Sequence, residues 1–242
     1  FYEQATKIIN MAKALSFASL NSVMGVRTAY LFKENKTDEV HKKIEDSLSY
    51  ILLIAFGICF GLIGVADGLV PWFFGDGYGP VVTLLKMFSP IIIIIGISNC
   101  LGSLYYNPVG KRAMSAKFII CGAVSNLIFN SIFIPKMGAM GAALGSLFAE
   151  TIIVIPYVVF SNGYAKVELI LRLSWKRAVA AGLMFVSILP FYKIMSTSIK
   201  LTVVQVIVGA CVYGIVLILL RDKYLIRFLK DIKGKLTKGL NK

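Results

Sequence analysis

Residues 126–150 read NLIFNSIFIPKMGAMGAALGSLFAE, and this stretch decides the fold. It holds the end of one apolar helix, a tight turn and most of the next helix. Asn126 and Asn130 lie four apart and share a helix face. Pro135 is expected to stop the first helix, because proline lacks the N–H and disfavours helix in the residue before it. Lys136, Met137 and Gly138 then form the turn. Gly141 and Gly145 leave a flat strip for close helix approach. Ala142, Ser146 and Glu150 make a second face at four-residue spacing. An antiparallel helix pair built this way directs two amides, a hydroxyl and a carboxyl at one place, inside an otherwise apolar chain.

Working outward, the whole chain is apolar: 57% hydrophobic, 16% charged, with a mean hydropathy of +0.79. Soluble domains are about 45–50% apolar and about 25% charged, so this is an integral membrane protein. It has no initiator Met and opens inside a helical pattern, so it reads as part of something longer. The four cysteines, Cys59, Cys100, Cys121 and Cys211, lie in apolar runs without metal-type spacing, and read as small core residues. The single histidine, His41, sits in a charged segment. Neither pattern points to a metal centre or to histidine-based catalysis.

A spanning helix needs roughly 20 mainly apolar residues. Seven segments qualify: about 5–30, 48–68, 84–105, 117–135, 139–160, 178–197 and 201–220. Loops are expected at 33–46, 67–82, 106–116 and 161–177, the last lying along the membrane surface. The tail from Arg221 sets apolar residues at helical spacing against a basic face, as an interfacial helix on anionic lipid does. Trp72, Phe73, Phe74 and Tyr78 suit an interface belt.

The first helix is unusual. Glu3, Lys7, Asn10, Lys13 and Asn21 fall within a sector of roughly 120°. One reading is a surface helix, or a span whose charges pair internally, such as Glu3 with Lys7. The other is a span lining a water-filled cavity, where charged residues of membrane helices usually point. In the third span Asn99 and Ser103 share a face, either for interhelical hydrogen bonds or for substrate.

Of the 26 Lys and Arg, 20 fall in residues 27–43, 111–117, 166–177 and 221–242, on one side of the expected topology. The positive-inside rule makes that side cytoplasmic and the C-terminus with it. The net charge of +14 is thus topology and does not call for nucleic acid.

Several pieces, in order, resemble a known family: FYEQATKI opening a helix, the mixed-charge segment after Tyr30, VPWFFGDGY, LGSLYYNPVGK, and NLIFNSIFIPKMGAMGAALGS. Together they resemble the second half of bacterial polysaccharide flippases of the multidrug/oligosaccharidyl-lipid/polysaccharide exporter superfamily, over about residues 1–160. The resemblance implies an all-α polytopic bundle, the second lobe of a two-lobed transporter of 12–14 spans whose N-terminal lobe is missing here. It divides the chain into a lobe of about five spans (1–160), a surface segment with two additional spans (161–220) and a basic cytoplasmic interfacial tail (221–242). It implies flipping of undecaprenyl-diphosphate-linked oligosaccharide across a bacterial cytoplasmic membrane for surface polysaccharide synthesis. The related lipid II flippases bind sodium in the second lobe, and Asn126, Asn130 and Ser146 fall at matching positions, although Asn130 replaces an acidic residue.

A lipid-linked diphosphate needs cations and hydrogen-bond donors held away from lipid. Lys7 and Lys13 supply the first; Asn10, Asn21 and Asn99 are candidates for the second. Two lobes rocking about a midplane site would carry the headgroup across. Glu150, with Asn126, Asn130 and Ser146, is the candidate for coupling, either to a proton on Glu150 or to sodium held by the amides and hydroxyl; no other cofactor is expected. The partners are then the lipid-linked substrate and the membrane lipids. A multidrug antiporter of the same superfamily is the main rival, and its cavity would favour acidic and aromatic residues over lysines. A membrane-embedded glycosyltransferase or acyltransferase would need a carboxylate pair or a His–Asp cluster; Asp67 and Asp76 share only a Gly-rich loop.

Overall fold

The structure, a computed structural model, describes residues 1–240, with the side chains of 15, 18–27 and 232–240 outside the description. The described chain is helical, in ten helices: α1 (Tyr2–Lys33), α2 (Thr37–Phe74), α3 (Gly79–Phe88), α4 (Ile91–Leu101, continued by a π-helical turn Gly102–Tyr106), α5 (Arg112–Met137), α6 (Ala139–Val159), α7 (Val167–Ile188), the single turn α8 (Phe191–Ile194), α9 (Ile199–Leu219) and α10 (Lys223–Leu240). Among the described residues five helices are long and apolar enough to cross a membrane, or six when α3 and α4 count as one bent span, against the seven expected. The first of the seven, 5–30 in α1, is long enough, but its polar stripe leaves it less apolar than the others.

Helices run through three of the expected loops. After a three-residue link, in which Asn35 takes φ 54°, the mixed-charge segment enters α2 directly. Asp38 and Glu39 occupy the first turn of α2, where carboxylates favour the helix N-terminus. At 1.5 Å per residue its 38 residues reach about 57 Å, well beyond a hydrocarbon core of about 30 Å, so its polar turns stand outside the bilayer. At the far end α2 passes through Pro71 and stops only at Gly75, whose φ of 88° reverses the chain. The stretch 161–177, expected on the membrane surface, is instead a short turn followed by the first half of α7. The span expected over 178–197 is the second half of that helix, ending at Ile188.

Pro135 does not stop α5. It sits in the last turn, and the helix ends at Gly138, which adopts φ 56°. Near the C-terminus a proline frees only one carbonyl, so the helix continues until a residue able to take positive φ appears. Pro90 has a larger effect: α3 and α4 meet at 42°. Ser89 Oγ donates to Leu85 O at the break, at 2.6 Å.

The turn at Gly138 folds α6 back on α5 as a close antiparallel pair. A Cβ on Gly141 would overlap the Phe133 carbonyl, and one on Gly145 would overlap the side-chain oxygen of Asn130. Ala5, Ile9 and Ala12 of α1 pack with α3, α4 and Ala143 of α6, while α7 and α9 pack on α2.

Contacts sort the connections to two ends. At one end His41 stacks on Tyr164 at 4.0 Å, Arg172 pairs with Glu45 at 3.0 Å and Arg227 with Asp46 at 2.9 Å. Lys111 Nζ donates to Tyr105 OH at 2.9 Å, and Tyr105 packs on Tyr164, so each of the four basic segments reaches this end. At the other end Phe1 meets Tyr78, Trp72 Nε1 donates to Thr202 Oγ1 at 2.8 Å, and Lys86 pairs with Asp67. At the basic end lies one buried ion pair: Arg177 and Asp222, both nearly inaccessible, at 3.2 Å. Asp222 also accepts from the N–H groups of Tyr224 and Leu225, capping α10 and fastening it to α7.

Gly141 faces fixed backbone and Gly145 a movable side chain, so the two should differ when filled. Gly141→Ala should cost about 1–3 kcal/mol, as overpacking does, and Gly145→Ala clearly less. Thermal melts of the detergent-purified variants check the order.

Candidate functional site

The outward surface of α5 and α9 is apolar: Leu127 is 70% exposed, and Ile120, Val124, Ile128, Val203, Val206 and Ile207 are exposed with it. For helices of membrane length this is a lipid-facing surface. The corresponding surface of α1 differs. Glu3, Lys7 and Asn10 are exposed on the side opposite the buried Ala5, Ile9 and Ala12, and Lys13 is partly covered at the edge of the stripe. Lys7 pairs with Glu3 at 2.8 Å, the internal pairing that the first of the two readings of this helix allowed.

Where α1 meets α6, one hydrogen bond and one longer-range charge interaction form. The hydroxyls of Tyr2 and Ser146 lie 3.3 Å apart, with either able to donate. Lys13 and Glu150 attract one another across the same contact, though they make no direct ion pair. Tyr2 and Lys13 are eleven residues apart, three turns, so they share a face of α1; Ser146 and Glu150, one turn apart, share a face of α6. Side chains lean toward the helix N-terminus, the direction along α1 in which a lysine stem at position 13 extends.

The amides stand apart from these contacts. Asn130 Nδ2 donates to Asn126 Oδ1 at 2.9 Å along α5, while Asn130 Oδ1 presses on Gly145 and has no hydrogen-bond partner. The expected group of four is thus divided: Asn126 and Asn130 serve the α5–α6 contact, and Ser146 and Glu150 turn to α1. Of the oxygens implied for sodium, Asn126 Oδ1 accepts from Asn130, Ser146 Oγ shares a hydrogen bond with Tyr2, and Asn130 Oδ1 has no hydrogen-bond partner. Asn99 is partly buried on α4 with its Oδ1 unpartnered. The side chain of Asn21 lies outside the described residues.

No protein-family model matches the chain. Over 239 residues, 97% of this chain and 46% of the relative, it is 23% identical to an uncharacterized membrane protein of Methanocaldococcus jannaschii. Over 126 residues, 49% of this chain and 24% of the relative, it is 24% identical to the lipopolysaccharide biosynthesis protein WzxC of Escherichia coli K12. Among solved structures, the lipid II flippase MurJ in an inward closed conformation superposes over 91% of this chain and 47% of its own, with a TM-score of 0.64 at 20% identity. The chain is thus similar in sequence to a lipopolysaccharide biosynthesis protein and shares the fold of a lipid II flippase. It spans less than half the length of these relatives.

Sequence reasoning missed two polar residues at the start of α1. Tyr2 and Gln4 flank Glu3 at the start of the polar stripe; Gln4 buries its Oε1 without a partner. Their position in the first turn of a polar-striped span was the available signal. The Arg177–Asp222 pair was also missed, because each residue lies in a segment rich in other charges.

The electrostatic link between Lys13 and Glu150 has a direct check. Lys13→Glu places two carboxylates together and should destabilise by about 1 kcal/mol, lowering Tm by roughly 2–4 °C. Adding Glu150→Lys should restore most of the loss, in a double-mutant cycle read by thermal melts.

Proposed function

We propose that this chain forms the second lobe of a transporter that flips undecaprenyl-diphosphate-linked oligosaccharide across a cytoplasmic membrane by alternating access. The observation that carries this reading is the polar stripe of α1: an exposed charged surface on a molecule whose α5 and α9 expose hydrocarbon. Such a stripe is stable in a membrane only against water or another protein surface. A cleft between this lobe and a second one provides both.

Within that cleft the work divides by chemistry. Lys13, held at the α1–α6 contact, is the cation for the diphosphate. Lys7 adds positive field, moderated by Glu3. Asn10 and Asn99 donate to phosphate and sugar oxygens. The prenyl tail stays in the bilayer, so only the headgroup needs the cleft. Glu150 couples transport to a proton: a diphosphate drawing Lys13 away removes the charge that favours the carboxylate, and the carboxyl then takes up a proton. Asn130 stands where a sodium ligand would be acidic, which favours the proton over sodium. The end carrying most Lys and Arg is the cytoplasmic one, with the C-terminus there.

The test is flipping of lipid-linked oligosaccharide by the full-length transporter in liposomes. Lys13→Glu should lower the rate at least about thirtyfold, since losing one partner of a close charge pair costs roughly 2 kcal/mol or more, with normal insertion. Glu150→Gln should remove the dependence on an imposed proton gradient. A Glu150→Gln variant with undiminished dependence excludes Glu150 as the coupling group. Chemically altered sugar in the second leaflet would mean an enzyme, and export of organic cations without lipid-linked sugar an antiporter.

A further inference from the structure

Between α2, α7 and the start of α10, at the basic end, lies a cavity of about 460 Å³. Its walls carry six cations: Lys42, Arg172, Lys176, Arg177, Lys223 and Arg227. Three carboxylates stand among them, and each has its own arginine: Glu45 with Arg172, Asp46 with Arg227, and Asp222 with Arg177. Lys42, Lys176 and Lys223 then have no carboxylate partner among the described residues. Lys176 Nζ donates to the Arg221 carbonyl at 3.1 Å, which holds the ammonium in place without neutralising it. Arg177 is 1% exposed, and its Nε and Nη1 donors have no partner, although buried donors are nearly always satisfied. The wall is therefore rich in fixed positive charge and short of acceptors.

The residues around the cavity point to the anion that reaches it. Trp175 stands at its edge, half exposed, with the Lys176 ammonium 5.5 Å from the ring centre. Tryptophan in that setting lies at headgroup level. On the same side α10 exposes Phe228 and Leu229 beside basic residues, as a helix lying in the interface does. We infer that this cavity binds the phosphodiester of an anionic membrane phospholipid, with Lys42, Lys176 and Lys223 around the phosphate. The bound lipid would join α10 to α2 and α7 through a headgroup, beside the Arg177–Asp222 pair. The site is at one end of the molecule and separate from the α1–α6 contact.

The experiment is native mass spectrometry of the detergent-purified protein, titrated with phosphatidylglycerol, phosphatidylcholine or inorganic phosphate. The wild type should retain one phosphatidylglycerol at least about tenfold more tightly than phosphatidylcholine, and millimolar phosphate should not displace it. The combined variant Lys42→Gln, Lys176→Gln, Lys223→Gln should weaken phosphatidylglycerol at least about tenfold. A control removing Lys33, Lys36 and Arg112, basic residues outside the cavity wall, should change it by less than about threefold. Equal loss in both variants would reduce the effect to diffuse charge attraction and overturn the site. Displacement by inorganic phosphate would make it an anion site filled from solution and overturn the lipid. The headgroup comparison on wild-type protein decides the matter even where the triple variant does not fold.

Discussion

A charged side chain in the middle of a membrane helix costs about 2.5–3.5 kcal/mol even by insertion-based scales, and this chain places two such side chains, Lys13 and Glu150, within each other's field. Neither is buried enough to be a closed structural pair, and neither reaches the other directly. The arrangement leaves a cation that is partly compensated and still open to an incoming anion. The Tyr2–Ser146 contact holds α1 against α6 at the same seam. Everything proposed for transport depends on α1 keeping this register, with its alanine and isoleucine face packed inward and its polar face outward.

The α5–α6 pair explains how α6 is held rigidly enough for that purpose. Gly141 and Gly145 bring the two backbones together, and Asn126 and Asn130 face that contact. A group of residues that reads from sequence as one polar site is, in three dimensions, a packing device on one face of α6 and a charge-bearing surface on another. Positions 145 and 146 are about 100° apart on the helix, which is enough to send their neighbours to different helices.

Helix class and membrane character were legible in the sequence because they depend on composition and period; the number of spans was over-read by one, since the polar stripe leaves α1 less apolar than the other long helices. The gathering of basic segments at one end was legible from charge alone, and His41 stacked on Tyr164 and Arg172 paired with Glu45 bear it out. Helix ends were less legible. Proline at 71 and 135 and charge at 37–46 and 167–177 read as interruptions, yet helices run through all of them. A proline in a last turn loses little, and charged turns beyond the hydrocarbon carry no penalty. Local polarity marks where the membrane ends and not where the helix ends.

The site was legible in part. Spacing placed Glu3, Lys7, Asn10 and Lys13 on one stripe and Ser146 with Glu150 on one face. It carried no information on which helix each face would meet, so Tyr2 was missed, and Asn126 and Asn130, grouped with Ser146 and Glu150, bond to one another along α5. The buried Arg177–Asp222 pair was invisible for the same reason, joining residues 45 positions apart.

Water at the α1 stripe is the central claim, and thiol accessibility tests it most directly. In a cysteine-free background, Asn10→Cys on the stripe and Leu127→Cys on the apolar surface of α5 would be treated in membranes with a charged, water-soluble maleimide. The account expects Asn10→Cys to label and Leu127→Cys to stay unreacted. Equal protection of both positions would mean that the α1 stripe meets no aqueous path, and would contradict the account.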